Sequence, residues 1–448
     1  MREGSSRVRK FCLAKRSKTM PKIWQSKSTK IHPLVEKYTV GNDYILDMRL
    51  LPFDVEASLA HATALAKLKI LTPDELKKLT IGLKEILKLH AAGKFTIKME
   101  DEDCHTAIEN YLIAKLGPLG KKIHTGRSRN DQVLVATRLY TRKKLNQVSA
   151  EMIKLEKVFL NFAKKYQFVP MPGYTHTRRA MPSSVGHWAA AYFEELTNDY
   201  QLLQSAYNLN DQNPLGAAAG FGVSFNLDRR LTSKLLKFKR TQVNSIYAIN
   251  SRGKTESFIL TVCTQIMMTL GRLANEMIWF TTPEFNYFNL PWEFTTGSSI
   301  MPQKRNPDVF EIIRSNVNVI VALQTQVKDI SKNLISGYNR DTQLTKEPLI
   351  KGLGITRRSL EIAALVMSAI TPNKKDLMKS LTPELFANNE ANRLVMQGVP
   401  FRDAYQQVKE NLDKLTVPDP VKAIKEVVSL GGPGNLNLKG YKIDKPLK

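Results

Sequence analysis

The chain has 448 residues, 42% of them hydrophobic, and carries a formal net charge of +26. Such a length and apolar content exclude an intrinsically disordered protein and allow two or three domains around a large core. The longest unbroken apolar runs, such as AALVMSAI at 363–370, fall short of the roughly 18–20 residues a membrane span requires, so no transmembrane helix is expected.

The first nineteen residues hold seven Lys or Arg and one acid. They have the Arg and Ser of a transit segment but no apolar stretch for secretion, and Met20 offers an alternative first residue. Residues 1–19 are therefore read as a basic extension outside the native fold. Removing them leaves about +20 spread along the chain, a charge that suits nucleic acid, a membrane surface or a small polyanionic substrate. Neither an aromatic-interleaved basic ribbon nor a zinc-finger spacing is present, which argues against specific nucleic-acid binding. Cys12, Cys104 and Cys263 are scattered and lack CxxC spacing. Neither a disulfide framework nor a zinc site is expected, and a reducing compartment, the cytoplasm, is the default.

Residues 54–91 are amphipathic, with Thr72-Pro73-Asp74-Glu75 as a helix start. In EDEDCHTAIE, 100–109, His105 and Glu109 share a helical face at i, i+4, but no further ligand completes a metal set. Four longer segments then repeat apolar residues every three or four positions: Leu145 to Tyr166, Trp188 to Tyr207, 258–280 and 309–335. The third is apolar nearly all round, as a helix inside a bundle would be. At about 1.5 Å per residue these helices are on the order of 30–40 Å long, which makes the centre an elongated bundle. Strand patterns are scarce, and Thr382-Pro383-Glu384 opens another helix within 373–430. The expected fold is all-α with three helical domains: 20–120, a long-helix bundle at 121–372, and a small domain at 373–448.

Polar islands separate the long helices. In HTGRSRNDQV, 124–133, Arg127 and Arg129 can grip carboxylates in bidentate fashion, while Ser128, Asn130 and first-turn NH groups favour anions. Capping by Asn130 or Asp131 would explain one of these residues but not two arginines. In PGYTHTRRAMP, 172–182, Pro172-Gly173 reads as a turn that brings Thr175 and His176 onto a new element. A lone histidine is more often structural than catalytic, and the adjacent threonine and turn shift that balance.

The third island, TTGSSIMPQKRNPD at 295–308, combines a flexible Gly297, hydroxyls at Ser298 and Ser299, a cation at Lys304 and an amide at Asn306. Such a loop can handle a proton and a growing negative charge together. Asn306-Pro307-Asp308 followed by Glu311 opens a helix, yet the loop is no P-loop, and no GxSxG elbow occurs. A fourth island, ISGYNRDTQLTKE at 335–347, offers Tyr338, Gln343 and Lys346. Long helices hold these islands at opposite ends of a rod, so a single shared site would draw on several chains.

At these residues the sequence resembles the fumarase/aspartase superfamily, from about Trp24 to GVPFRDAY at 398–405. GSS-MP-K-N marks the superfamily, and HTGRSRNDQ with GYNRDTQLTKE points to its argininosuccinate branch. The resemblance implies reversible anti-elimination of fumarate from argininosuccinate without metal or organic cofactor. It also implies a homotetramer with a 20-helix core and four sites, each built from three subunits. By the same resemblance Ser298 is the base, and Lys304 and Asn306 stabilise the carbanion's carboxylate. His176, hydrogen-bonded to Glu311, serves proton delivery to the leaving guanidinium. Ser128, Arg129, Asn130 and Thr175 bind the succinyl carboxylates; Tyr338, Gln343 and Lys346 bind the arginine portion.

The chain departs from that pattern at three places. IWQSKS, one residue shorter before Pro33, stands where a WGGRF-like segment is usual; Tyr247 and Gly253 replace aspartates around the retained Arg252; and Leu344 and Thr345 replace acids. These changes touch substrate contacts and spare the chemical groups. A sister lyase acting on adenylosuccinate would lack HTGRSRNDQ, and a crystallin-like structural relative would be expected to lose a chemical residue. Ser298, His176, Lys304 and Glu311 are all present.

Overall fold

A computed structural model describes residues 31–447; the basic extension 1–19 and IWQSKS lie outside the described residues. Helices α1 (Pro33–Val40) and α2 (Asp43–Asp47) lead into α3 (Leu51–Lys67). α4 (Pro73–Ala91) begins where its sequence predicts. The Glu75 NH donates to Thr72 Oγ1 at 3.2 Å while the Thr72 NH donates to the Glu75 carboxylate at 2.9 Å. This reciprocal cap satisfies two backbone donors that the first turn leaves without partners. α5 (Cys104–Leu116) and the single turn α6 (Pro118–Lys121) follow.

The centre is built from α7 (Arg129–Lys165), α8 (Val185–Asn210), the short α9 (Arg229–Leu235) and α10 (Ser245–Asn250), and then α11 (Lys254–Phe280), α12 (Asp308–Ser331) and α13 (Lys346–Ala369). Four of the five long helices match the predicted segments, although α7 starts at Arg129 rather than near Leu145. α13 is unpredicted. Its first turns contain Pro348, Gly352 and Gly354, which lower intrinsic helix propensity. Packing against α7 and α11 decides its state. At Gly352 a Cβ would stand only 2.3 Å from Leu260 Cδ2, so the glycine permits the close approach of α13 to α11.

By length and composition α11 passes for a membrane span, but 56% of its most apolar window is buried inside the bundle, as a core helix is. One hydrophobic cluster runs from Leu50 to Leu377. After α14 (Lys374–Lys379), helices α15 (Ala387–Met396), α16 (Phe401–Glu410) and α17 (Pro420–Lys425) pack on small clusters of their own. The chain enters α15 through a 3₁₀ turn at Pro383–Phe386, next to the predicted start.

Strands are few and short. β1 (Pro170–Thr175) and β2 (Arg178–Ser184) form an antiparallel hairpin, in which Pro172 faces Pro182. Pro172-Gly173 is thus inside a strand rather than at a turn, because a two-stranded ribbon tolerates a residue without an NH donor. The turn is His176-Thr177.

The C-terminal segment straps across α7 and α8. Tyr441 stacks on Phe193 with 4.9 Å between ring centroids and its hydroxyl donates to Glu194; Tyr200 OH donates to the Lys445 carbonyl. The Asp444 NH donates to Glu156 Oε2 at 3.1 Å. Burial, with the neighbouring Asp444 carboxylate, pushes Glu156 up to about 7, and burial raises Asp444 as well. A carboxyl whose folded pKa is raised contributes stability at low pH that is lost as pH climbs through that value. The urea midpoint is therefore expected to fall between about pH 5 and about pH 8, and Glu156→Gln to flatten that dependence.

Candidate active site

The first and fourth islands meet in one cleft, lined by Arg129, Asn130, Arg252, Tyr338, Gln343 and Lys346 together with acids from the N-terminal helices. Ser128, rather than Asn130 or Asp131, caps α7: the Asn130 NH donates to Ser128 Oγ at 3.2 Å, and the Ser128 NH donates to Asp131 Oδ1 at 3.0 Å. Asp131 Oδ2 also accepts from the NH groups of Gly216 and Ala218, which anchors the helix start to the loop after α8. Ser128 lines an adjoining lobe with His105, Arg129 and Asn130.

The cleft is dense in paired charge. Lys346, only 3% exposed, reaches Asp47 Oδ1 at 2.6 Å and Asp43 Oδ1 at 3.2 Å. Burial works to lower its pKa, but the two carboxylates outweigh it and hold the ammonium above its ordinary value. Asp47 is correspondingly held below the usual carboxylate range: Lys346 and His105 outweigh its burial. Arg129 donates to Glu102 Oε2 at 2.8 Å and Thr106 Oγ1 at 2.6 Å, and its Nε lies 3.0 Å from Asp103 Oδ2. Asp43, Asp47, Glu102, Asp103 and Arg340 are cleft residues that sequence reasoning missed. The i, i+4 spacing of Asp43 and Asp47 was the available signal.

Behind this layer lies a fully buried one. His105 Nδ1 sits 2.8 Å from Asp54 Oδ2, and Arg127 Nη2 sits 3.2 Å from Asp54 Oδ1 while Nη1 donates to Ser58. Arg127 therefore holds α3 rather than gripping a ligand as its sequence context suggested. Burial would lower the His105 pKa, but Asp54 raises it above the ordinary value, which favours the imidazolium. Its Nε2 is buried without a partner among the described residues, and the ring lines the cleft. The predicted face shared with Glu109 is not a pair, since Glu109 stands 3.5 Å from His124 Nδ1 instead.

Asp47, Cys104 and His105 have ligand atoms within 4.8 Å of one another, the geometry of a metal set. The residues fit a metal poorly. The Lys346 ammonium already supplies the positive charge at Asp47, and His105 Nδ1 is occupied by Asp54.

The other two islands are elsewhere. His176 and Thr177 form the tip of the β1–β2 hairpin with φ of +49° and +60°. Positive φ at both central residues is the sign pattern of a type I′ turn, which normally selects Asn-Gly; a His-Thr pair there is strained and exposed. Thr175 and His176 both stand in solvent.

The signature loop is closed by a bridge: the Thr296 NH donates to the Asn306 carbonyl at 3.1 Å and the Asn306 NH to the Thr296 carbonyl at 2.9 Å. Arg305 lies 3.4 Å over the Trp292 ring. Within the loop, the NH groups of Ile300 and Met301 donate to Ser298 Oγ at 3.3 and 3.1 Å. Pro307 caps α12 from outside the first turn instead of opening it.

Lys304, Asn306 and Glu311 line a groove with Thr281 and Thr282, where α11 ends, and Tyr174 and Thr177 line a pocket with Phe280 from the same end. Arg252, in the cleft, immediately precedes Gly253 and the other end of α11. The 27 residues of α11 separate the two ends by roughly 40 Å. Among the described residues no hydrogen bond or ion pair joins His176 to Glu311. One chain thus assembles Arg129, Asn130, Tyr338, Gln343 and Lys346 and leaves His176 and Ser298 displayed at the far end.

Two departures from the expected pattern prove to lie off the cleft. Tyr247 sits on the exposed side of α10. At Gly253, φ is +82° and a Cβ would stand 2.0 Å from Ser331 Oγ, so a side chain at this position requires Ser331 to move.

An all-helical fold with this loop and cleft defines a class of helical lyases, and the chain belongs to the Lyase family, which it matches over residues 25–322. Solved structures share the fold: an EDDS lyase in complex with formate, at a TM-score of 0.77 and 22% identity over 92% of this chain and 89% of that one, and a class II fumarase from Schistosoma mansoni, at 0.70 and 15% over 86% and 94%.

Within that class the chain belongs to the argininosuccinate lyase family. It is 44% identical to the argininosuccinate lyase of Thermotoga neapolitana over 87% of this chain and 98% of that protein, and 41% identical to that of Sorangium cellulosum over 90% and 93%.

Replacing Asp54 by Asn leaves Arg127 buried without its counter-charge. The expected cost is about 3–5 kcal/mol of folding stability, read from urea unfolding.

Proposed function

We propose that the protein cleaves argininosuccinate to arginine and fumarate, at sites that neighbouring copies complete. The observation that carries the chemistry is the pair of backbone NH groups aimed at Ser298 Oγ. A serine hydroxyl is a poor base, and donors directed at its oxygen stabilise the alkoxide form. Ser298 takes the proton from the carbon beside the succinyl carboxylate. Negative charge then builds on that carboxylate, where Lys304 and Asn306 supply a cation and an amide donor. As the C–N bond breaks, His176, aligned by Glu311, serves protonation of the departing guanidinium.

The cleft suits the substrate. Argininosuccinate carries carboxylates, an ammonium and a guanidinium, and the cleft presents Arg129, Arg252, Arg340 and Lys346 alongside Asp43, Asp47, Glu102 and Asp103. A simple dicarboxylate would leave those acids facing like charge. Asn130 and Ser128 stand beside Arg129 for the succinyl end, with Thr175 arriving on the hairpin of another copy. Tyr338, Gln343 and Lys346 receive the arginine end.

The separation of the islands supports a homotetramer in which the five long helices of each chain form a 20-helix core. Apolar side chains on those helices are exposed in the single chain: Met268, Ile312, Val321 and Leu365. Their burial between copies would be favourable at about 25 cal/mol per Å². The free, buried thiols of Cys104 and Cys263 suit a reducing compartment, and we place the enzyme in the cytoplasm.

Purified protein given argininosuccinate is expected to release fumarate, followed by ultraviolet absorbance; release from adenylosuccinate alone would move the assignment to the sister activity. Ser298→Ala should lower kcat about 10²–10⁴-fold with KM little changed, and near-normal turnover would require another base. Ser298→Ala and Arg129→Gln proteins, each inactive, should regain activity when dissociated and reassembled together, because the cleft and the loop of one site then come from different copies. Sites contained within one chain would show no such recovery.

A further inference from the structure

A second groove, of about 690 Å³, lies behind the substrate cleft between the α2–α3 corner, α7 and α13. Arg49, Lys143, Lys144, Lys351, Arg357 and Arg358 line it, and Glu347 is the one carboxylate among its lining residues. Among the described residues, only Arg357 of these six has an ion-pair partner, Glu361 at 2.9 Å. Lys144 donates to the neutral Gln147 at 3.1 Å, and Arg49 bonds to the Tyr140 hydroxyl. Burial and the charges of Arg357, Lys143 and Arg49 hold the Lys144 ammonium below its ordinary range, as like charges in one groove would.

The floor of the groove is apolar. Phe53 and Tyr140 meet edge to face at 5.8 Å, flanked by Leu46, Pro52 and Leu353. Lys143 and Lys144 lean over these two rings at 5.8 and 5.6 Å, taking from π-faces part of what a carboxylate would give them. Gly354 leaves room for the Arg358 guanidinium, whose Nη1 would lie 3.3 Å from an added Cβ.

These cations converge from facing helices onto one open groove of the size that holds a small ligand, rather than lying in a flat stripe along one helix. We propose that the groove is an effector site for an oligophosphate, with the cations of α7 and α13 clamping the phosphate chain from opposite sides. Phosphate oxygens satisfy guanidinium and ammonium donors together, and the concentrated charge answers a cluster that a single carboxylate does not.

The groove shares its walls with the substrate cleft. α2 turns Leu46 to the groove and Asp43 and Asp47 to the cleft, Arg49 reaches the groove from the α2–α3 corner, and α13 sends Lys346 to the cleft and Glu347, Ile350 and Lys351 to the groove. Occupancy therefore bears on the hold of Asp43 and Asp47 on Lys346.

The test measures binding of inorganic tripolyphosphate and of ATP to the full chain by titration calorimetry, against Lys144→Met and the double variant Lys144→Glu/Arg358→Glu. One ligand per chain is expected, weakened at least tenfold in the double variant and less in Lys144→Met, whose neutral side chain guards against a folding defect. Equal affinities would mean that the phosphate chain alone is read; tighter ATP would mean that the aromatic floor receives the nucleoside. Both support the site. In a second arm, which rests on the proposed lyase activity, saturating tripolyphosphate shifts the KM for argininosuccinate at least twofold in the parent and not in the double variant. Failure of that activity would leave the binding arm readable. Absence of binding, binding that the variants retain, or an unmoved KM in an active enzyme would overturn the proposal. So would a DNA oligomer that binds where tripolyphosphate does not, or a double variant that sediments as a smaller assembly, since the face would then belong to nucleic acid or to another copy.

Discussion

The structure depends on buried charge that fastens the N-terminal helices to the bundle. Asp47 at the end of α2 holds Lys346 at the start of α13, and Asp54 on α3 holds both His105 of α5 and Arg127 just before α7. Five segments thereby meet at two aspartates. Buried ion pairs add little net stability, because desolvation offsets much of their attraction, but they tolerate few alternative arrangements. A shift of α13 by one residue would leave Asp47 and Lys346 each unpaired in the interior. The pairs therefore specify how the cleft's walls meet, and the continuous apolar cluster supplies most of the stability.

From that constraint follows a division of labour. The cleft's walls are helix ends of a single chain. The groups to which we assign the chemistry are carried on a short hairpin and a bridged loop about one helix length away. A strained His-Thr turn is a costly way to end a ribbon. In the assembly we propose, the tip stands clear of its own chain to enter the site of another copy. The loop shows the same logic: Thr296 and Asn306 tie its base, and the NH groups of Ile300 and Met301 pre-orient Ser298.

The large positive charge acquires a location as well. In the cleft the cations are matched by carboxylates, whereas the groove behind it gathers six with a single acid beside them. The same helix, α2, separates a balanced surface from an unbalanced one.

Much of this was legible in the residues. The 3.6-residue repeat of apolar side chains determined four long helices because a helix must bury one face, and the Thr72 box determined where α4 starts because first-turn donors need partners. The composition of GSSIMPQKRNPD and of HTGRSRNDQ gave the expectation, carried into the proposed function, that a proton and an anion are handled together. Tertiary structure decided the rest. α13 formed against weak local propensity because packing on α7 and α11 outweighs two glycines and a proline. Arg127 and Arg129, two positions apart in the chain, were sent to different tasks, since Arg127 found a fully buried carboxylate and Arg129 the edge of the cleft. Asp43, Asp47, Glu102 and Asp103 entered the site only because α2 and the start of α5 fold back onto the ends of α7 and α13. A one-dimensional pattern records which face a helix buries, but not which distant charge will meet it there, because that depends on how whole helices pack.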